Sequence, residues 1–194
     1  MTIIAAIAEN GRVWMGADSA GVSGYSLTVR RDPKIYQVGE LLFGFTSSVR
    51  MGQLLGHSFV APLRDDALSP ERFMSTVFID AVRTTFKSGG YARVHDGEEA
   101  AGVFLVGYRG RIFRVESDYQ VGESVENFDA VGCGADVALG ALYVSRDLDP
   151  VVRIHGALTA AEAFSAGVRG PFKTCVFPKI VLNFDGEGAS KCTN

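Results

Sequence analysis

Apolar residues run almost unbroken from Thr2 to Ala8 and again from Val13 to Ala17. Between them stands Asn10-Gly11, a dipeptide that tolerates positive φ and favours two-residue hairpin turns. The pattern predicts a buried hairpin at the start of the chain. Glycines, serines and threonines interrupt residues 19–28, which read as a break. Lys34 to Val38 and Leu41 to Thr46 read as a second hairpin, turning at Gly39-Glu40. From Ser48 the period changes: Met51, Leu54, Leu55 and Phe59 recur at helical spacing. Ser69-Pro70-Glu71 marks a helix start, with Ser69 as cap and Pro70 in the first turn. Phe73, Val77, Phe78, Ala81 and Phe86 form its apolar face, and Gly89-Gly90 ends it.

Residues 91–100 are polar and read as a loop. Ala101 to Tyr108 and Arg111 to Val115 form a third hairpin across Arg109-Gly110. Phe128 to Val131 is a short strand leading into Gly132-Cys133-Gly134, and a helix follows from Asp136 to Ser145. A last helix is expected to start at Thr159, with Ala163 and Phe164 inside it. Thr174 to Phe184 reads as a final strand, where Pro178 points to an edge or a bulge. No repeat or linker breaks the chain, so residues 1–184 are expected to form one domain, followed by a polar tail at 185–194. Strands, two helices, strands, two helices and a strand predict an α+β domain with helices packed on antiparallel sheets.

Composition narrows the function. Hydrophobic residues make up 47% of the 194, enough for a sizeable core, which excludes a disordered chain. Nineteen Lys+Arg against 22 Asp+Glu leave a net charge of −3, without the basic excess of a nucleic-acid binder. No run of about 18 apolar residues occurs, so no membrane span is expected, and the N-terminus lacks the basic leader of a signal peptide. Cys133, Cys175 and Cys192 are odd in number and form no CxxC pair. They predict neither a disulfide framework nor a zinc motif, and they fit a reducing, cytoplasmic compartment. His57, His95 and His155 are not at ligand spacing, and neither a GxSxG elbow nor a P-loop is present. Neither metal nor organic cofactor is expected.

Thr2 is the more informative residue. It sits behind the initiator methionine, at the head of a buried strand. With Met1 removed, a hydroxyl and a free α-amine share one residue. A threonine hydroxyl needs a base to act as a nucleophile. An α-amine, with a pKa of roughly 7.7–8.0, is partly neutral near physiological pH and can accept that proton. From position alone, Thr2 is more often a small residue at a start site. Asp18 and Lys34 change the balance. Asp18 ends the second strand and Lys34 begins the third, so a carboxylate and an ammonium could meet beside the first. There the Lys34 charge would favour a deprotonated hydroxyl and a neutral amine, and Asp18 would orient Lys34 and balance its charge.

Asp18 and Lys34 lie 16 and 32 residues after Thr2. With this spacing, residues 2–50 resemble the start of proteasome β-subunits and of the bacterial heat-shock locus V peptidase, which are N-terminal-nucleophile (Ntn) hydrolases. The resemblance continues more weakly through Gly44-Phe45-Thr46-Ser47-Ser48, where the family has a glycine-containing oxyanion turn. It resumes at Ala130-Val131-Gly132-Cys133-Gly134, which is similar to the family's Gly-Ser-Gly before a helix. It implies a four-layer αββα sandwich and amide-bond hydrolysis by a threonine-type peptidase. Thr2 would be the nucleophile, Asp18 and Lys34 its supporting pair, and the Ser47 backbone N–H, with that of Ser48, the oxyanion donor. Cys133 stands where a serine supports the nucleophile's amine. Cys133 as nucleophile itself is disfavoured, because no histidine is near it in sequence.

Three departures point to a divergent branch: Ser47 for glycine, Cys133 for serine, and no acid in Ser165-Ala166-Gly167-Val168-Arg169-Gly170, where the family has one. They leave open a non-catalytic ring or scaffold protein, and the same acyl-enzyme would also serve a transpeptidase. The implied partners are a peptide or protein substrate and further copies in a ring; an ATPase partner is not readable from sequence. Phe73, Phe78 and Phe86, with Leu54 and Phe59, also exceed what one sheet face requires, which predicts an exposed apolar surface and a homo-oligomer.

Overall fold

The structure, a computed structural model, describes residues 2–178. The opening hairpin pairs β1 (Ile3–Glu9) with β2 (Arg12–Ala17), and Asn10 and Gly11 turn at φ of 50° and 72°. Positive φ at both turn positions matches the twist of the flanking strands, which is why Asn-Gly suits this place. Residues 19–28, read as a break, instead form a two-stranded ribbon of β3 (Ala20–Ser23) and β4 (Ser26–Val29). The second hairpin is β5 (Ile35–Val38) with β6 (Leu41–Phe45).

Ser48 caps α1 (Val49–His57) and Ser69 caps α2 (Pro70–Phe73). The chain then passes through a π-type turn at Met74–Phe78 into α3 (Ile79–Ser88). This wider turn holds Phe73, Met74 and Phe78 inside together and leaves Val77 38% exposed. Val77 is therefore not part of the apolar face that a regular helix predicts, since a π-turn inserts a residue and rotates the side chains beyond it.

Residues 91–100, expected as a loop, contain the ribbon β7 (Arg93–His95) and β8 (Glu98–Ala100). The third hairpin is β9 (Phe104–Tyr108) with β10 (Arg111–Val115), and a short β11 (Val121–Gly122) adds to it. β12 (Phe128–Gly132) leads into α4 (Ala135–Val144). The next helix, α5, spans Pro150–Phe164 and is capped by Asp149, so Thr159 lies inside it and does not start it. The Asp149-Pro150 start signal is present in sequence, but the β-branched Val151-Val152 beside it lowers helix propensity and obscures it. The last strand, β13, is Lys173–Phe177 and stops before Pro178; the rest of the expected strand and the polar tail lie outside the described residues.

Two antiparallel sheets result, ordered β12-β1-β2-β13 and β11-β10-β9-β6-β5. Alternation along each strand explains how they stack. Ile3, Ala5 and Ile7 of β1 pack with Leu142, Ile154 and Leu158 of α4 and α5. Ile4 and Ala6 turn the other way, onto Leu42, Leu105 and Ile112 of the second sheet. That sheet's opposite face carries Phe43, Phe45, Phe104 and Val106 against α1 and α3. A strand buried on both faces reads as a continuous apolar run, as β1 does. The order is helices, sheet, sheet, helices: the αββα sandwich.

The helix residues expected to be in surplus are all inside. Phe73, Phe78, Phe86, Leu54 and Phe59 are each no more than 5% exposed and belong to the core under α1 and α3. They form no exposed surface, because the second sheet has five strands to cover. Among the described residues no helix is long and apolar enough to cross a membrane.

Candidate active site

The sheets bring several strand ends to one edge. In the first sheet, Ile4 pairs with Ala17 and Ile3 with Gly132, so Thr2 emerges beside both Asp18 and Cys133. In the second, Lys34 precedes β5, and its carbonyl accepts the Phe45 N–H at 3.2 Å. Lys34 and the Thr46-Ser47 turn are thus held at the same edge, facing Thr2.

Thr2, Asp18 and Lys34 are buried and in mutual contact. The Lys34 Nζ donates to the Thr2 Oγ1 at 2.5 Å and to the Asp18 Oδ1 at 2.6 Å. The Thr2 hydroxyl also donates to the Asp18 Oδ1. The sequence predicts that Asp18 orients Lys34 and balances its charge; here it touches the hydroxyl as well. Asp18 is held by three backbone donors besides: Ile3 N–H at 3.1 Å, Ala20 N–H at 3.0 Å and Arg169 N–H at 3.2 Å. Neither Ala20 nor Arg169 is legible in sequence as a site residue, since backbone donors leave no mark in residue type. Burial pulls the Lys34 ammonium below its usual 10.5, opposed by the hydrogen bond and charge of Asp18.

Cys133 meets Thr2 on another side. Its N–H donates to the Thr2 carbonyl at 2.9 Å, and its Sγ lies 3.4 Å from the same oxygen. The Ser165 hydroxyl donates to that sulfur at 3.3 Å. Ser165 belongs to the stretch that lacks an acid, and it enters the site through Cys133. Gly132 makes the approach possible. Its φ is 113°, and a Cβ there would stand 2.2 Å from the Thr2 carbonyl oxygen. Only glycine fits both demands.

Ser47 keeps a left-handed conformation, with φ of 63°, although it is not glycine. The Ser48 N–H is taken by the Thr46 carbonyl at 2.6 Å. Among the described residues, the Ser47 N–H has no hydrogen-bond partner. Thr2, Ser47 and Cys133 line one cavity of about 460 Å³, walled further by Val103, Arg114 and Leu139. Among the described residues no three His, Cys, Asp or Glu side chains converge as a metal site would require.

A four-layer sandwich with these strand ends at one edge has the proteasome-like Ntn fold. No protein-family model and no curated protein matches the chain. Among solved structures it is similar to BPH of Thiobacillus denitrificans, at 24% identity and a TM-score of 0.76, over 90% of this chain and 97% of that one. The same protein in complex with epoxomicin matches at 22% identity and a TM-score of 0.75, with the same coverage. Eukaryotic HslV from Trypanosoma brucei matches at 14% identity and a TM-score of 0.62, over 90% of this chain and 98% of that one. At these identities the likeness is one of fold.

Proposed function

We propose that this chain is an amide- or peptide-bond hydrolase whose nucleophile is Thr2, exposed by removal of Met1. The observation that carries the reading is the Lys34 ammonium, 2.5 Å from the Thr2 hydroxyl and 2.6 Å from Asp18 in a buried setting. A cation there stabilises the hydroxyl's conjugate base, and Asp18 keeps the cation in place. The freed α-amine of Thr2 takes the hydroxyl proton, directly or through one water, as Oγ1 attacks the substrate carbonyl. The oxyanion that forms receives the unpaired Ser47 N–H, a kind of donor worth about 3–4 kcal/mol in studied hydrolases. The amine then returns its proton to the leaving group, and water releases the acyl group. Cys133, through its bonds to the Thr2 carbonyl, fixes the residue that carries both nucleophile and base.

The test is treatment with epoxomicin or a peptide β-lactone, followed by mass spectrometry of the N-terminal peptide. Epoxomicin is the ligand named for the Thiobacillus denitrificans structure, which motivates its use. We expect one adduct, on a chain that begins at Thr2. Adduct formation on chains that still carry Met1 would sink the amine as base.

Assembly belongs to the same reading. The phenylalanines of α2 and α3 are core, so they give no reason for it. The end of α4 and the start of α5 give another: Tyr143, Val144, Leu148, Val151 and Val152 are each about half exposed or more. Exposed apolar side chains grouped at one helix junction are the kind of surface that a subunit contact would cover. A homo-oligomer is expected, and light scattering that returns the 20.8 kDa monomer mass would count against it.

A further inference from the structure

We propose that the Ser47 side chain is a positioning residue: it latches the Thr46-Ser47 turn so that the Ser47 N–H stays aimed at the cavity, with Gly102 as its seat. The consequence for rate rests on the peptidase reading above; the latch itself rests on geometry.

A left-handed φ is unfavourable for serine and needs compensation from its surroundings. Three hydrogen bonds join the turn to Val103, the residue just before the facing strand β9. Val103 offers its carbonyl to the Thr46 N–H at 3.2 Å and to the Thr46 Oγ1 at 2.7 Å. Its N–H donates to the Ser47 Oγ at 3.1 Å. The β6–β9 ladder ends at Phe45 and Phe104. One step further the chain turns away, and the Ser47 hydroxyl takes the place of the backbone carbonyl that would otherwise accept from Val103. The Thr46 Oγ1, 3.3 Å from the Ser47 Oγ, braces it from the other side.

Gly102 gives the hydroxyl room. A Cβ on it would lie 2.7 Å from the Ser47 Cβ and 2.9 Å from both the Ser47 Oγ and the Met51 Sδ. Its φ is not in the left-handed range, so space and not backbone freedom requires glycine here. A serine in a glycine-like conformation, a hydroxyl that completes a strand ladder and a glycine beneath it form one device. With the Ser48 N–H already bonded, that device presents a single free donor.

The experiment compares the full-length wild type with Ser47→Ala and Gly102→Ala. Two quantities are read: β-lactone acylation across inhibitor concentration, and hydrogen exchange at the Val103 amide. Ser47→Ala keeps the backbone N–H and loses the latch; Gly102→Ala keeps the hydroxyl and displaces it. Both should lower the saturating acylation rate about tenfold or more, with the half-saturating concentration within about twofold, because misplacing a positioned group affects the transition state most. Val103 exchange should accelerate in both, and melting temperatures should fall modestly, since one variant loses the compensation for a left-handed φ and the other crowds the buried Met51. A merely structural role would lower the melting temperature too but leave the rate per labelled site unchanged. If wild type is acylated and Ser47→Ala matches its saturating rate, the latch is overturned and the peptidase reading stands. If wild type is not acylated, the peptidase reading fails. The latch is then judged on Val103 exchange alone, and an unchanged rate in Ser47→Ala overturns it too.

Discussion

Replacing Lys34 by alanine is expected to slow acylation of Thr2 by at least about a thousandfold, while the chain stays folded. The effect on rate follows from position: Lys34 is the only cation within hydrogen-bond reach of the Thr2 hydroxyl among the described residues. Folding persists because Asp18 keeps the Thr2 hydroxyl and three backbone N–H donors when Lys34 is gone. Lys34→Met, which fills the space without the charge, should be as inactive as Lys34→Ala and more stable. Equal β-lactone labelling of wild type and Lys34→Met would remove the charge from the mechanism. The same ammonium sets a pH limit. Burial makes it lose its proton below the usual 10.5, so acylation should fall off on the alkaline side before that pH. For stability the sign is opposite. The unfolded chain keeps the Lys34 proton up to about 10.5 and the folded chain releases it earlier, so this group's contribution to stability rises with pH across that interval.

Asp18→Asn is expected to cost about 3–5 kcal/mol of stability as well as the activity, a larger structural penalty than Lys34→Ala. The two members of the pair are not equivalent. Lys34 holds its cation with one carboxylate and one hydroxyl, so removing the carboxylate leaves a buried charge without a counterion. Asp18 also accepts from the backbone of three separate segments: the start of β1, the start of β3 and the loop after α5. An amide cannot accept from all of these, since one of its two polar atoms is a donor. Urea denaturation of the two variants, monitored by near-UV circular dichroism, measures the difference. Equal midpoints for Asp18→Asn and Lys34→Ala would mean that Asp18 is not the hub that its hydrogen bonds describe.

Much of this fold is legible along the chain because its signals are local. Asn10-Gly11, Gly39-Glu40 and Arg109-Gly110 stand at the three main hairpin turns, where the backbone conformation selects the residue type. Ser69-Pro70 announces its helix through one side chain and one fixed φ. Where local signals conflict, tertiary packing decides. Val151-Val152 are β-branched yet helical, because α5 buries Ile154, Ala157, Leu158 and Ala161 against the first sheet. The π-turn at Met74–Phe78 has no periodicity to betray it; it is set by which side chains the second sheet accepts. Residues 19–28 and 91–100 form ribbons despite polar sequences, since a two-stranded pair needs only backbone hydrogen bonds and a turn.

The candidate site divides in the same way. Thr2, Asp18 and Lys34 are marked by chemical type and by long, fixed spacings, so one sequence is enough to single them out. The Arg169 donor to Asp18 and the contact of Cys133 with the Thr2 carbonyl join residues 151 and 131 positions apart, and the link from Ser165 to Cys133 spans 32. Such contacts exist only once the sheets and their covering helices have come together. The family resemblance marks Ser47 as a departure from glycine, but its consequence lies in Gly102 and Val103 across the sheet. By itself the sequence determined which main strands form, where they turn and which three side chains to single out as a candidate site, because each follows from residue type and spacing. Only the tertiary structure decided how far the large apolar side chains are buried and which backbone groups complete the site, because both depend on what the second sheet brings up against the first.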